Sequence, residues 1–267
     1  MGTILDTLAE LAVQRTRTAQ KNRSLASLRA DAEAMPRGRF AFQNAIETRV
    51  SETEDIAFIC ECKKASPSKG LIAPDFPYLQ IAQDYERAGA DCISVLTEPF
   101  YFLGDDRYLA EIASAVQIPC LRKDFTVDSY MIYEAKLLGA SAVLLICSIL
   151  DAGQLREFHE IAQSLGMSAL VEAHDEREIE TAAEIGAHII GVNNRNLKDF
   201  SVDTGHAVSL IGNVPEGTLF VVESGISCAA DVQKAREAGA DAVLVGETLM
   251  RAADKGAMLR TLKGYTA

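Results

Sequence analysis

The sequence lacks most of the features that would place it outside ordinary globular proteins. No apolar run approaches the roughly 18 residues of a membrane span. The longest, Ala142 to Cys147, gains only Ile149 and Leu150. The first residues carry Asp6 and Glu10 among leucines without a cationic start, so no secretory signal is expected. The six cysteines, Cys60, Cys62, Cys92, Cys120, Cys147 and Cys228, include no CxxC pair. That argues against a disulfide framework or zinc knuckle and for reduced thiols in a cytoplasmic protein. The four histidines, His159, His174, His188 and His206, form no HExxH or HxH pattern, so no metal is expected. Basic residues are in deficit, 26 Lys and Arg against 38 Asp and Glu for a formal charge of −12. A nucleic-acid partner would need a basic stripe, and any anionic small substrate must find a locally positive pocket.

What the chain does have is a globular composition, 48% hydrophobic and 24% charged over 267 residues, enough for a sizeable core in one domain or two. It also has an internal repeat. Gly-Ala followed closely by a β-type apolar run occurs at Gly89, Gly139, Gly186 and Gly239, at intervals of 50, 47 and 53 residues. Each interval holds two strand-helix units, so the chain carries about eight, the number in a (β/α)8 barrel. The intervening strands read AFICEC (57–62), PCLRK (119–123), SALVE (168–172) and LFVVE (219–223). Alternating strands and helices predict an α/β protein with a parallel sheet covered by helices. No GxGxxG follows the first strand, which disfavours a doubly wound open sheet. The expected organisation is one domain over 1–267: a (β/α)8 TIM barrel over 56–267, preceded by an N-terminal helical extension over 1–50. Thr3 caps its first helix, Ile4, Leu8 and Leu11 form its apolar stripe, and the acidic 51–55 segment serves as linker.

Chemistry in such barrels sits at the carboxyl ends of the strands, and parity decides which side chains point into the mouth. On the first strand Glu61 and Lys63 share one face and Cys60 and Cys62 the other; the polar pair belongs inside. The third strand ends in Lys123, the fifth in Glu172, the sixth in Asn193 and the seventh in Glu223. One such residue is most often a solvated loop charge. A ring of them at equivalent positions is costly to bury unless its members pair or react. Ser224-Gly225 and Gly246-Glu247, at turns after the seventh and eighth strands, offer backbone N–H groups to a phosphate. The loop from Ser66 to Gly70 can close over the same group. Phe102, Phe125, Leu144 and Leu197 suit an apolar slot, with ordinary core packing an equal alternative.

Several of these segments, in this order, carry a family resemblance. Glu61-Cys62-Lys63-Lys64-Ala65-Ser66-Pro67-Ser68-Lys69-Gly70, Leu121-Arg122-Lys123-Asp124-Phe125, Leu170-Val171-Glu172, Ile190 to Leu197 (IGVNNRNL) and Glu223-Ser224-Gly225-Ile226 resemble the indole-3-glycerol phosphate synthase family of tryptophan biosynthesis. One departure is Phe100, where many relatives carry Lys. The resemblance implies a carboxy-lyase that needs no cofactor and closes the indole ring of a phosphorylated ribulose substrate. It implies Lys123 as the acid of ring closure, Glu172 as base or proton partner in dehydration, and Lys63 as carboxylate binder and second acid. Glu61 would orient the lysines, Asn193 bond substrate hydroxyls, and Glu223 hold the ribulose-derived chain. Arg195, with Lys63, Lys123 and the loop amides, would offset the global negative charge locally, and association with other tryptophan-pathway enzymes is possible for such a protein.

Two alternatives compete. A phosphoribosylanthranilate isomerase-like barrel would need a Cys acid/base on the first strand and an Asp on the sixth, whereas the inward parity belongs to Glu61 and Lys63 and the sixth strand ends in Asn193. A catalytically silent phosphate-binding barrel would be free to lose Lys123 or Glu172, and both are present.

Overall fold

The computed structural model describes residues 3–196 and 200–264. Three helices precede the first barrel strand: α1 (Ile4–Asn22), α2 (Leu25–Ala34) and α3 (Ala41–Thr53). The chain continues as β1 (Ala57–Cys62), α4 (Tyr78–Arg87), β2 (Cys92–Leu96), α5 (Asp106–Ala115), β3 (Cys120–Lys123), α6 (Ser129–Leu137), β4 (Ala142–Ile146), α7 (Ala152–Ser164) and β5 (Ser168–Ala173). It ends with α8 (Glu176–Glu184), β6 (Ile189–Asn193), α9 (His206–Leu210), β7 (Leu219–Glu223), α10 (Ala229–Glu237), β8 (Ala242–Val245), α11 (Glu247–Arg251) and α12 (Lys255–Leu262). The strands form a closed, parallel barrel in which β1 pairs with both β2 and β8. A small antiparallel hairpin, Ala65–Ser66 against Gly70–Leu71, stands in the loop after β1.

The Gly-Ala repeat has a backbone cause. Gly89, Gly139, Gly186 and Gly239 take φ of 83°, 87°, 76° and 91°, the left-handed region where a Cβ is penalised. Each alanine that follows donates its N–H to a carbonyl five residues back, as in Ala90 N to Tyr85 O at 2.9 Å. The helix carbonyls are thereby satisfied and the chain reverses into the next strand.

Strand alternation splits the apolar residues into two layers. Phe58, Cys60, Cys62, Ile93, Val95, Val143, Leu145, Val222 and Val243 face the helices. Ile59, Leu121, Leu144, Leu170, Ile189, Val221 and Leu244 fill the interior. The floor of that interior comes from α3, whose fully buried Phe42 and Ile46 join the inner layer at the amino ends of the strands. Ser168 Oγ accepts from Gln43 N at 3.2 Å at this end.

Two details of the extension differ from the sequence reading. The acidic 51–55 segment is not a free linker, because Ser51–Thr53 complete the last turn of α3 and Glu54 caps it. On α1 the buried residues are Leu5, Leu8, Ala12 and Thr16, so the inward stripe is rotated from the expected Ile4, Leu8 and Leu11. The rotation follows from what α1 covers. Ile4, Leu5 and Leu8 border the open mouth, and farther along Arg15 reaches Asp124 beyond β3 at 2.6 Å. That aspartate is fully buried and also accepts from Thr97 Oγ1 at 2.6 Å. Burial opposes its charge, but Arg15 and Arg122 outweigh it and hold the carboxyl below its usual range.

Candidate active site

The carboxyl ends of the strands open into a cavity of about 400 Å³, a size suited to a small-molecule ligand. Its wall includes Glu61, Lys63, Ser66, Phe102, Lys123, Phe125, Leu144, Glu172, Asn193, Arg195, Glu223, Ser224, Gly225, Gly246 and Glu247. The remaining sequence candidate, Leu197, lies outside the described residues.

Lys123 is the centre of the charge network. Its Nζ stands 3.0 Å from Glu172 Oε2 and 2.7 Å from Glu223 Oε2. All three side chains are at least 87% buried. Register explains the convergence: Glu223 sits opposite Asn193 across β6 and β7, and Glu172 opposite Gly191 across β5 and β6. Gly191 leaves room, since a Cβ there would fall 2.3 Å from Glu223 Oε1. Beside them Lys63 Nζ donates to Glu61 Oε1, and Asn193 Nδ2 donates to Glu172 Oε1 at 3.3 Å.

Burial and pairing compete differently at each group. Burial alone would drive a proton off Lys123, but Glu172, Glu223 and Glu61 overcome it and raise its pKa. Glu172 is likewise penalised by burial, which Lys123 and then His174 outweigh, so its pKa falls. Glu223 goes the other way. Desolvation dominates there despite Lys123, the Glu172 charge adds to it, and the carboxyl is pushed up to about 7. Its Oε1 has no hydrogen-bond partner among the described residues. The cluster therefore holds one firm carboxylate, one firm ammonium and one carboxyl that exchanges its proton near neutrality, an arrangement suited to general acid–base work.

A second region flanks this one. Ser224 and Gly225 have successive left-handed φ values of 65° and 81°, which turn the backbone toward the cavity ahead of α10. A Cβ on Gly225 would lie 3.0 Å from Thr204 Cγ2 and Val202 Cγ1. A Cβ on Gly246 would lie 2.2 Å from Glu61 Oε1 and 2.8 Å from Lys63 Nζ. At both places the backbone approaches more closely than a side chain permits. The Glu247 carboxylate is held by Arg251 Nε at 2.9 Å, with Lys69 Nζ at 3.6 Å and Arg195 Nη2 at 3.9 Å. Opposite lie the apolar residues, with the Phe102 and Phe125 rings 6.1 Å apart.

The cysteines of β1 have no part in this site. Cys60 and Cys62 belong to the outer layer, and burial pushes both thiols far up. Three contributors escaped the sequence reading. Glu98 is fully buried and accepts from the N–H groups of Phe100, Tyr101 and Phe102 at 2.8–2.9 Å, which shapes the loop that presents Phe102. Arg15 and Asp124 tie α1 to the residue beside Lys123. The Asp124-Phe125 dipeptide was visible in a quoted motif; the arginine partner, 109 residues away, carried no local signal.

Known proteins match this chain over nearly its whole length. Residues 5–262 match the sequence profile of the family described as Indole-3-glycerol phosphate synthase. A relative of that name from Ruminiclostridium cellulolyticum is 51% identical over 98% of this chain and 99% of its own. Another from Lacticaseibacillus paracasei is 48% identical over 97% and 98%. Among solved structures, 3-hexulose-6-phosphate synthase from Salmonella typhimurium superposes with a TM-score of 0.65 at 15% identity, covering 79% of this chain and 98% of that one. Thiamine phosphate pyrophosphorylase from Pyrococcus furiosus gives 0.59 at 15% identity, covering 84% and 96%. The last two likenesses concern the barrel alone. From the full-length match and the identities near one half, the chain belongs to the indole-3-glycerol phosphate synthase family.

Proposed function

We propose that this barrel is a carboxy-lyase of tryptophan biosynthesis that converts 1-(2-carboxyphenylamino)-1-deoxyribulose 5-phosphate to indole-3-glycerol phosphate, carbon dioxide and water. The observation that carries the reading is the Lys123 ammonium clamped between Glu172 and Glu223 at the mouth, beside the Lys63–Glu61 pair.

The reaction has three demands. As the ring carbon that bears the carboxylate attacks the C2′ ketone, the ketone oxygen becomes an alkoxide and needs a proton. Loss of carbon dioxide restores the aromatic ring. The C2′ hydroxyl then leaves as water, which needs an acid, and the pyrrole forms when a base removes a C1′ proton. Lys123 supplies the first proton, since its ammonium is fixed and charged by its two carboxylates. Glu172, kept ionised, is the base. Lys63 binds the substrate carboxylate and serves as acid for the departing hydroxyl, with Glu61 orienting it. Asn193 bonds a hydroxyl of the ribulose chain, which Glu223 also holds while it braces Lys123.

The substrate adds a phosphate and a carboxylate to a protein of charge −12, so local cations and amides must offset the global field. The phosphate is assigned to the backbone N–H groups of the Ser224-Gly225 turn and of Gly246 and Glu247, with Ser66 and Arg195 at the rim. The Glu247 carboxylate, already held by Arg251, contributes its amide. Phe102, Phe125 and Leu144 form the slot for the anthranilate ring. The test is the appearance of indole fluorescence on mixing the protein with synthetic ribulose substrate in metal-free buffer. Steady product formation is expected, and its absence overturns the assignment.

A further inference from the structure

His174 lies two residues beyond Glu172, on the same face of β5 continued past its end, yet it is absent from the cavity wall. Its imidazole stands between two carboxylates. Nδ1 is 3.2 Å from Glu178 Oε2 of α8, and Nε2 is 3.4 Å from Glu172 Oε1. Ser148, in the short turn after β4, completes one side: its Oγ lies 3.2 Å from Nδ1 and donates to Glu178 Oε1 at 2.6 Å. The backbone N–H of His174 donates to Glu178 Oε2 at 2.7 Å, and His206 of α9 places Nε2 2.9 Å from the His174 carbonyl. The ring is thus fixed from three elements. Its Nε2 is buried without a hydrogen-bond partner among the described residues, and the Glu172 carboxylate is the charged group within ion-pair distance of it. A neutral imidazole has one N–H and serves one carboxylate; two carboxylates on opposite ring nitrogens call for the doubly protonated form.

We propose that His174 is a positioning residue for Glu172, presenting a cationic ring to Oε1 so that the carboxylate is oriented from one side by His174 and Asn193 and from the other by Lys123. Chemically, the arrangement gives the base a fixed trajectory and a second positive neighbour besides Lys123. The nearby groups are consistent with a charged ring. Glu172 and Glu178 adjoin it directly, and Asp175 caps α8 next to it. Cys147 lies behind, its thiol pushed up to about 12 by burial and then by Glu178 and Glu172. Although burial works against the imidazolium, Glu178 and Glu172 together raise the affinity of His174 for its proton.

This inference deepens the proposed synthase reaction and rests on Glu172 being its base. The experiment is the pH dependence of kcat with the ribulose substrate for the native protein, His174→Gln and His174→Arg, with Glu172→Gln identifying the acid limb. The acid limb falls where the ring is charged, so removing the cation must make Glu172 easier to protonate. His174→Gln is expected to move the limb up by about one pH unit, with KM changed less than about twofold. His174→Arg, which keeps the charge, is expected to return the limb to within about 0.3 unit of the native position. An unmoved limb in His174→Gln, an equal shift in both variants, or a change confined to KM overturns the proposal. Independently of any variant, 15N NMR of histidine-labelled native protein at pH 7 is expected to show both His174 nitrogens protonated, and a neutral ring overturns it as well. A native protein that forms no product refutes the synthase assignment instead, while the NMR measurement still reads the ring.

Discussion

Replacing Glu223 by Gln is expected to lower activity and, at the same time, to improve stability in a pH-dependent way. The carboxyl is held at about 7 in the folded protein against 4.5 as its ordinary value. Because the folded pKa is the higher one, the stabilisation tied to its proton is complete below 4.5 and is lost as pH rises through 7. At about 1.4 kcal/mol per unit, the full penalty is about 3 kcal/mol. Between pH 5 and pH 8 roughly 2–3 kcal/mol of it develops, since at pH 5 the unfolded group is already partly ionised. Gln has no such titration. It keeps an oxygen to accept from Lys123, and the charge-assisted part of that 2.7 Å bond is already contained in the folded pKa of Glu223, so it subtracts nothing further from the pH dependence. Urea unfolding of both proteins at half-unit steps from pH 5 to pH 8 is the assay. The stability of the variant relative to the native protein is expected to rise across that range by about 2–3 kcal/mol. A difference that is flat with pH would refute the reasoning, because it would mean that burial does not control this carboxyl. Turnover measured on the same samples is expected to fall, separating what the group does for chemistry from what it costs the fold.

Other perturbations follow from the same geometry. Glu172→Gln is expected to reduce kcat by about 10² to 10⁴, the range for a lost acid–base group, in steady-state fluorescence assays; a negligible effect would require another base. Gly246→Ala places a methyl 2.2 Å from Glu61 Oε1 and 2.8 Å from Lys63 Nζ, and is expected to cut kcat/KM at least about tenfold while the melting temperature moves little. Arg15→Met strips Asp124 of its closest cation and is expected to cost about 2–4 kcal/mol in urea unfolding. An unfolding curve identical to the native one would show that the ion pair is dispensable.

How much of this was legible in the sequence depends on the range of each interaction. Strand parity is strictly local, so the inward placement of Glu61 and Lys63 and the outward placement of Cys60 and Cys62 could be read from six consecutive residues. The Gly-Ala repeat is equally local, because a left-handed residue must end each of those helices. The helices of the extension were harder. Phe42 and Ile46 stand four apart within the expected helical extension, but the acidic residues from 51 on read as a linker where they in fact end α3, and the role of α3 as barrel floor depends on a surface that exists only once the strands have closed. The buried stripe of α1 differs from the expected one for a related reason: the helix borders the mouth, packs against α6 and reaches Asp124 through Arg15. At the site, the ring of candidates could be named from strand ends, but not the partition of charge within it. That partition turns on which of two carboxylates is better compensated. Glu172 has His174 and Asn193 besides Lys123, whereas Glu223 Oε1 faces no partner among the described residues.

The central claim is that the ammonium of Lys123 protonates the ketone oxygen as the ring closes. Its most direct test is single-turnover formation of indole-3-glycerol phosphate by the native protein and Lys123→Ala, with binding of the unreactive reduced substrate measured in parallel. The account predicts rapid product formation by the native protein and a loss of at least about a thousandfold in the variant, with affinity for the reduced substrate kept within about tenfold. Native-like turnover by Lys123→Ala would contradict it.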